Sequence, residues 1–208
     1  MDNSPAPTNP ASVTHPASHL DAPVDVVVAY HSGYGHTRRV AEALAQGVGH
    51  AGRSAHCLDV SAISEADWKL LDRSPAIVFG APTYMGGASA QFKQFAEASS
   101  KRWFTQAWKD KIAGGFTCSL SMSGDKYSTL MYMVTLAMQH GMLWVGTGML
   151  PSAVAGAPDQ MNRIGSSIGV MAQADNLPPE VSPPEGDLAT ARAYGERIAA
   201  MLRPLAGG

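Results

Sequence analysis

Charge is what this chain is short of. Asp, Glu, Lys and Arg make up 15% of its 208 residues, against roughly a quarter in an average soluble domain. With 45% hydrophobic residues and 21 glycines, the deficit suggests surface that is hidden in an oligomer. The net charge of −2 and the scattered basic residues leave no electrostatic footprint for nucleic acid. Cysteine is scarce too. Cys57 and Cys118 are the only two, too few for a disulfide framework or a metal site. Both fall in predicted strands, as small buried thiols of a reducing, cytoplasmic compartment. No apolar run approaches the ~20 residues of a membrane span.

Met1–Pro23 lacks apolar periodicity and is rich in Pro, Ala, Ser, Thr and Asn. It has neither the basic start nor the apolar run of a secretory signal, and is expected to be a flexible tail. His15 and His19 lie four apart in it, but a proline-rich segment does not hold them on one helix face. Residues 24–208 are expected to form one domain, long enough for a sizeable core.

What is present begins with Val24–Val48. Val24-Asp25-Val26-Val27-Val28-Ala29-Tyr30 suits a buried parallel strand. A tight loop follows, His31-Ser32-Gly33-Tyr34-Gly35-His36-Thr37. Val40, Ala41, Leu44, Ala45 and Val48 then share one helical face. Such a loop aims backbone N–H groups and a helix N-terminus at one point, which favours an anion. Gly33 and Gly35 permit a sharp turn and close approach, and Ser32 and Thr37 add hydroxyls. The natural guest is a phosphate.

A nucleotide triphosphatase loop needs Gly-Lys-Ser/Thr, and here Gly35-His36-Thr37 has no lysine. The dinucleotide fingerprint G-x-G-x-x-G fits Gly33 and Gly35 but meets Arg38 at its third glycine, where close strand–helix packing is needed. Asp59, at the end of the next strand, keeps that alternative open as a ribose ligand. A glycine-rich turn that merely connects strand to helix is the plainer alternative.

Further along, Ala55–Asp59 is a second strand, Asp67–Leu71 a helical turn and Ala76–Gly80 a buried strand. The loop Ala81-Pro82-Thr83-Tyr84-Met85-Gly86-Gly87 follows, then a helix with Phe92, Phe95 and Ala96 inward. Lys111–Ser119 is the fourth strand, followed by the loop Leu120–Asp125. Lys126–His140 is a helix with Leu130, Met133, Val134, Ala137 and Met138 inward, and Gly141 ends it. Met142–Val145 is the fifth strand, and Asp187 caps a final helix. This rhythm predicts a doubly wound five-stranded parallel sheet with helices on both faces, in the flavodoxin-like order. The loops Ser32–Thr37, Pro82–Gly87 and Ser119–Asp125 all follow strand ends and are expected to meet in one crevice.

Three segments carry a resemblance to a known family. They are Tyr30–Thr37, Phe79-Gly80-Ala81-Pro82-Thr83-Tyr84-Met85-Gly86, and Leu136-Ala137-Met138-Gln139-His140-Gly141-Met142. The chain resembles the flavodoxin-like, FMN-dependent NAD(P)H:quinone oxidoreductases of the WrbA type. By that resemblance Ser32, Gly33, Tyr34, Gly35, His36 and Thr37 hold the phosphate of non-covalent FMN. Pro82, Thr83, Tyr84, Met85 and Gly86 line the isoalloxazine. The third flavin loop falls on Ser119, Leu120, Ser121, Met122 and Gly124, where Leu120 and Met122 replace small residues. The segment between strands two and three lacks an insertion typical of the family.

The resemblance further implies NAD(P)H as co-substrate, a quinone-type acceptor and a homotetramer built from dimers. Trp103 would shape the nicotinamide and quinone slot. His140 would be the catalytic histidine, reaching the flavin of a neighbouring subunit and protonating the quinone near working pH. Two rivals remain: a flavodoxin-type electron carrier that turns over no small molecule, and a scaffold that has lost its cofactor.

Overall fold

The computed structural model describes residues 24–202; the expected tail, with His15 and His19, lies outside them. Along the chain come β1 (Val26–Tyr30), α1 (His36–His50), β2 (Ala55–Asp59), a 3-10 turn (Val60–Ala62), α2 (Glu65–Arg73) and β3 (Ala76–Tyr84). Then follow β4 (Gly87–Ala88), α3 (Ala90–Ala98), α4 (Ser100–Phe104), β5 (Ile112–Ser119), α5 (Lys126–Gln139), β6 (Leu143–Trp144), β7 (Val170–Gln173) and α6 (Glu185–Met201). The main sheet is parallel, in the order β2-β1-β3-β5-β6, with β7 also on β5 and β4 folded back antiparallel onto β3. The flavodoxin-like order holds.

Alternation within each central strand builds a core on both faces. Val26, Val28, Tyr30, Val78 and Phe116 meet α1 and α6 on one side. Val27, Ala29, Ile77 and Phe79 meet the aromatic cluster of Trp68, Phe92, Phe95 and Trp108 on the other. A strand buried on both faces reads as a continuous apolar run, as β1 and β3 do. Helices α1 and α6 touch backbone to backbone. A Cβ on Gly47 would lie 1.9 Å from the Arg192 carbonyl oxygen, and one on Gly195 would lie 2.1 Å from that of Leu44.

Several expectations need correction. The helical turn at Asp67–Leu71 is the full helix α2, started by a capping box in which Ser64 and Asp67 satisfy each other's backbone amides. Pro82 and Thr83 belong to β3 rather than to a loop, and the chain turns only after Tyr84. The fifth strand is split. Its first part, β6, pairs with Ile112 and Ala113, and its second part, β7, pairs with Phe116–Ser119. Residues 145–169 leave the sheet between the two, and β7 is too short and too close to serines and glycines to stand out in sequence.

On α5, Met138 is exposed and Val134 half-buried, while Leu136 is buried. Asp187 does not cap α6. The helix starts at Glu185, and Asp187 turns inward to a bidentate ion pair with Arg163, Oδ1 at 2.8 Å from Nε and Oδ2 at 3.0 Å from Nη2. The same carboxylate accepts the Gln173 amide at 2.8 Å. It therefore fastens residues 145–169 and β7 to α6 instead of starting a helix.

Candidate functional site

The loop after β1 leaves its amides open. Ser32 Oγ accepts from the amides of Gly35 and Arg38, both at 3.1 Å. Gly35 stands before α1 at φ 92° and no side chain caps the helix. The amides of Gly33, Tyr34, His36 and Thr37 find no acceptor among the described residues. Unpaired amides at a helix start form an anion site. Gly35 is also fixed by its neighbours, since a Cβ on it would lie 3.0 Å from Pro179, whereas one on Gly33 would meet only the movable end of the Tyr84 side chain at 2.5 Å.

The second wall is the end of β3 and its turn. Met85 and Gly86 take positive φ (48° and 79°), and Met85 projects into solvent. Thr83 Oγ1 lies 2.7 Å from the hydroxyls of both Thr117 and Thr129, so this wall is pinned to β5 and α5. Ser128 donates to the Gly86 carbonyl and holds the turn itself. The third wall is the loop after β5, where Gly124 and Asp125 also have positive φ. Met85 and Asp125 are thus held in a backbone conformation that non-glycine residues rarely adopt.

Between these walls lies a cavity of about 620 Å³. Tyr34, His36, Thr37, Pro82, Thr83, Tyr84, Met85, Ser119 and Leu120 line it. Ser32, Gly33, Gly35 and Gly86 shape those loops from behind, and Ser121, Met122 and Gly124 continue the third loop beyond the lining residues. A fourth wall was missed: Ala174, Asp175, Asn176 and Leu177, which follow β7. His36 Nε2 meets the Leu177 carbonyl at 2.8 Å and Arg39 donates to that of Pro179 at 2.5 Å, tying this segment to the first loop. Its signal was present as Asp175-Asn176 before Pro178-Pro179, but it gains meaning only once β7 is known to be a strand.

No lysine or arginine lines the cavity among the described residues, and Asp175 is its one carboxylate. Cys118 lies at its floor, where burial pushes the thiol up to about 12. It is a protonated, unreactive group at neutral pH. Burial also raises the Tyr84 phenol. Among the described residues no cluster of His, Cys, Asp and Glu is placed to hold a metal, and no helix is long and apolar enough to cross a membrane.

His140 and Trp103 lie elsewhere. Helix α5 runs from the third loop to the opposite edge of the sheet, roughly 20 Å at 1.5 Å per residue, and His140 sits at its far end. His140 is 4% exposed, and its ring packs on Trp108 with centroids 4.3 Å apart. Ser99 donates to the Ala96 carbonyl at 2.7 Å, so the 2.8 Å contact to His140 Nε2 is a bond donated by the imidazole. Nδ1 is then a bare buried lone pair, without a partner. Burial lowers the ring to about 4. Trp103, half-exposed on α4, borders two shallow clefts beside His140 and Gln139. In a single chain neither residue reaches the cavity.

Comparison with known proteins points the same way as the geometry. The profile described as a Flavodoxin domain matches residues 27–146. "Flavodoxin FldP" of Pseudomonas aeruginosa is 45% identical over 177 residues, 83% of this chain and 94% of the relative. The chain belongs to the flavodoxin family. Within it the WrbA-type branch is the relevant one. A protein of Geobacter sulfurreducens named NAD(P)H dehydrogenase (quinone) is 32% identical over 211 residues, 88% of this chain and all of the relative. The crystal structure of a flavodoxin, WrbA-like protein from Agrobacterium tumefaciens is 48% identical with a TM-score of 0.67, covering 85% of this chain and 95% of the other.

Membership in the flavodoxin family implies a flavin cofactor, and the residues present fit one. The neutral amides of the first loop suit a monophosphate. The apolar and aromatic faces of Pro82, Tyr84, Met85, Leu120 and Leu177 suit a flat ring, and the volume suits a ligand of that size.

Proposed function

We propose that this protein is an FMN-dependent NAD(P)H:quinone oxidoreductase. The observation that carries the reading is the cavity at the strand ends, with open helix-start amides at one side and an apolar slot beside it. FMN, when bound, supplies hydride and two-electron chemistry between a nicotinamide and a quinone. The amides of Tyr34, His36 and Thr37 would hold its phosphate, with Ser32 keeping the loop closed. Tyr84 and Met85 would wall the ring edge, and the Met85 and Gly86 amides would stand ready for negative charge on it, as preorganised donors do. Leu120 and Leu177 would shut out water and set the shape offered to the acceptor.

The relatives named NAD(P)H dehydrogenase (quinone) support turnover. One observation favours a second reading: the relative at 45% identity is named a flavodoxin, which fits an electron carrier with no small-molecule substrate. Anaerobic addition of NADH and of NADPH to the purified flavoprotein separates the two. Bleaching of the flavin band by either supports the enzyme, and a band that persists with both supports the carrier.

Homotetramer assembly and cytoplasmic residence belong to the same proposal. The exposed Trp103, Phe104, Met138 and Leu143 are consistent with an interface. Trp103 as part of a nicotinamide slot requires a neighbouring subunit. So does His140, and its surroundings support a neutral imidazole that shapes that slot, its one N–H already given to Ser99, rather than an acid that releases a proton. His140→Ala is then expected to slow quinone reduction by about tenfold or less, below the usual range of general acid catalysis. Stopped-flow oxidation of the reduced protein measures it.

A further inference from the structure

Lys126 breaks two rules of placement at once. It opens α5 at a helix N-terminus, where the helix dipole disfavours a cation. It is also buried, with 1% of its surface exposed, where an ammonium loses its hydration. Departures from local preference of this kind concentrate at functional sites. The contacts of Nζ say what is gained. It lies 2.6 Å from the Ser121 carbonyl oxygen, 2.9 Å from that of Met122 and 3.5 Å from that of Ser123. Three successive carbonyls of one loop face one cation.

Peptide planarity turns this into a statement about donors. Across a trans peptide the carbonyl and the following N–H point in opposite directions, and the one cis bond among the described residues is Ser182–Pro183. Carbonyls of Ser121, Met122 and Ser123 aimed at Lys126 therefore send the amides of Met122, Ser123 and Gly124 the other way. That is the outer side of an exposed loop that springs from the cavity-lining Ser119 and Leu120. None of the three amides finds an acceptor among the described residues. Successive outward amides form a concavity of positive partial charge.

We propose that Lys126 is the positioning residue of the third loop, turning its carbonyls inward so that the amides of Met122, Ser123 and Gly124 are offered to the ring of a bound flavin. This rests on the flavin reading above. The charged and titratable groups around the ammonium are Cys118, Asp187, Arg163 and Asp175. Asp187 is committed to Arg163 and Cys118 is a neutral thiol at physiological pH. Asp175 acts on it least of the four and is opposed by Arg163, so the ammonium is held chiefly by carbonyls, and burial lowers it to about 8.

The test compares FMN and riboflavin binding, by quenching of flavin fluorescence, in the wild-type protein and Lys126→Met. Ring contacts are shared by both ligands, whereas the phosphate is not. Loss of a charged hydrogen-bond centre is typically worth about tenfold to a hundredfold, so both ligands should weaken by the same factor in that range. Equal affinity of the two proteins for both ligands overturns the role of Lys126 and leaves the flavin reading standing. A folded wild-type protein that binds neither ligand overturns the flavin reading and this proposal with it. Should Lys126→Met fail to fold, riboflavin binding by the wild-type protein decides. Affinity that falls by up to about tenfold per unit as the pH rises above about 8 supports the proposal, and affinity that stays flat to about pH 9.5 overturns it.

Discussion

Lys111, just before β5, and Lys126, just after the loop that leaves it, aim their ammonium groups at backbone carbonyls in the same manner. Lys111 Nζ lies 3.1 Å from the Leu71 carbonyl oxygen, 2.6 Å from that of Asp72 and 2.5 Å from that of Ser74. Those carbonyls end α2, where orphan acceptors and the negative end of a helix dipole welcome a cation. Lys126 does the same at the positive end of α5, for a loop that has no helix to finish. One arrangement completes secondary structure; the other holds a loop in a shape it would not adopt alone. The difference extends to the two edges of the sheet. At the amino edge aromatic rings close over His140 and leave its Nδ1 without a partner, whereas at the carboxyl edge backbone amides are left open around a cavity.

Four substitutions or titrations test that contrast, in order of size. At the amino edge, His140 should govern acid stability. Its folded value of about 4 lies below its ordinary 6.5, so the unfolded chain takes up the proton first as pH falls. Its contribution is complete above about pH 6.5 and is lost as the pH drops toward 4. The loss amounts to about 3 kcal/mol at 1.36 kcal/mol per unit. Denaturant melts across that window should show His140→Gln with a flatter profile than wild type; parallel profiles would make the ring irrelevant to acid stability.

At the carboxyl edge, Gly35→Val should weaken FMN by about a hundredfold, since a β-branched residue resists φ 92° and meets Pro179. The segment that follows the fourth wall adds a steric cause, since a Cβ on residue 35 would lie 3.0 Å from Pro179. Full flavin occupancy of the purified variant would misplace the phosphate site.

Lys111→Met should lower stability by about 2 kcal/mol, because three carbonyls lose a charged donor, yet leave FMN affinity unchanged. A matching loss of FMN affinity would erase the distinction between the two lysines. The smallest effect is expected at Leu120, which lines the cavity and replaces a small residue of the family pattern. Leu120→Ala should shift the KM for a quinone by about two- to tenfold, the scale of a few methylenes in an apolar pocket. Steady-state kinetics at saturating nicotinamide checks it.

Much of this molecule could be read from residue order. The β1–loop–α1 unit and the buried run that begins β3 announce themselves because strand burial, helix periodicity and glycine placement are local properties, whereas the extension of β3 through Pro82 to Tyr84 depends on pairing with β5. The resemblance carried by Tyr30–Thr37 and Phe79–Gly86 agrees with the family that the comparisons show. Asp187 misled because a carboxylate before a helical pattern looks the same whether it caps the helix or turns inward to a buried arginine 24 positions earlier.

Residue order was enough for the fold class and for placing the segments after β1, along the end of β3 and after β5 that carry part of the cavity lining. Each follows from short-range patterns of burial and turn chemistry. The tertiary structure alone decided the fourth wall at Ala174–Leu177, since β7 becomes a strand only by pairing with β5. It also decided that His140 is a buried, neutral imidazole at the far end of α5 from its own chain's cavity. And it decided that Lys126 faces inward beneath the third loop, because the length of a helix and the direction of a side chain at its first turn are fixed by packing against the sheet rather than by neighbours in the chain.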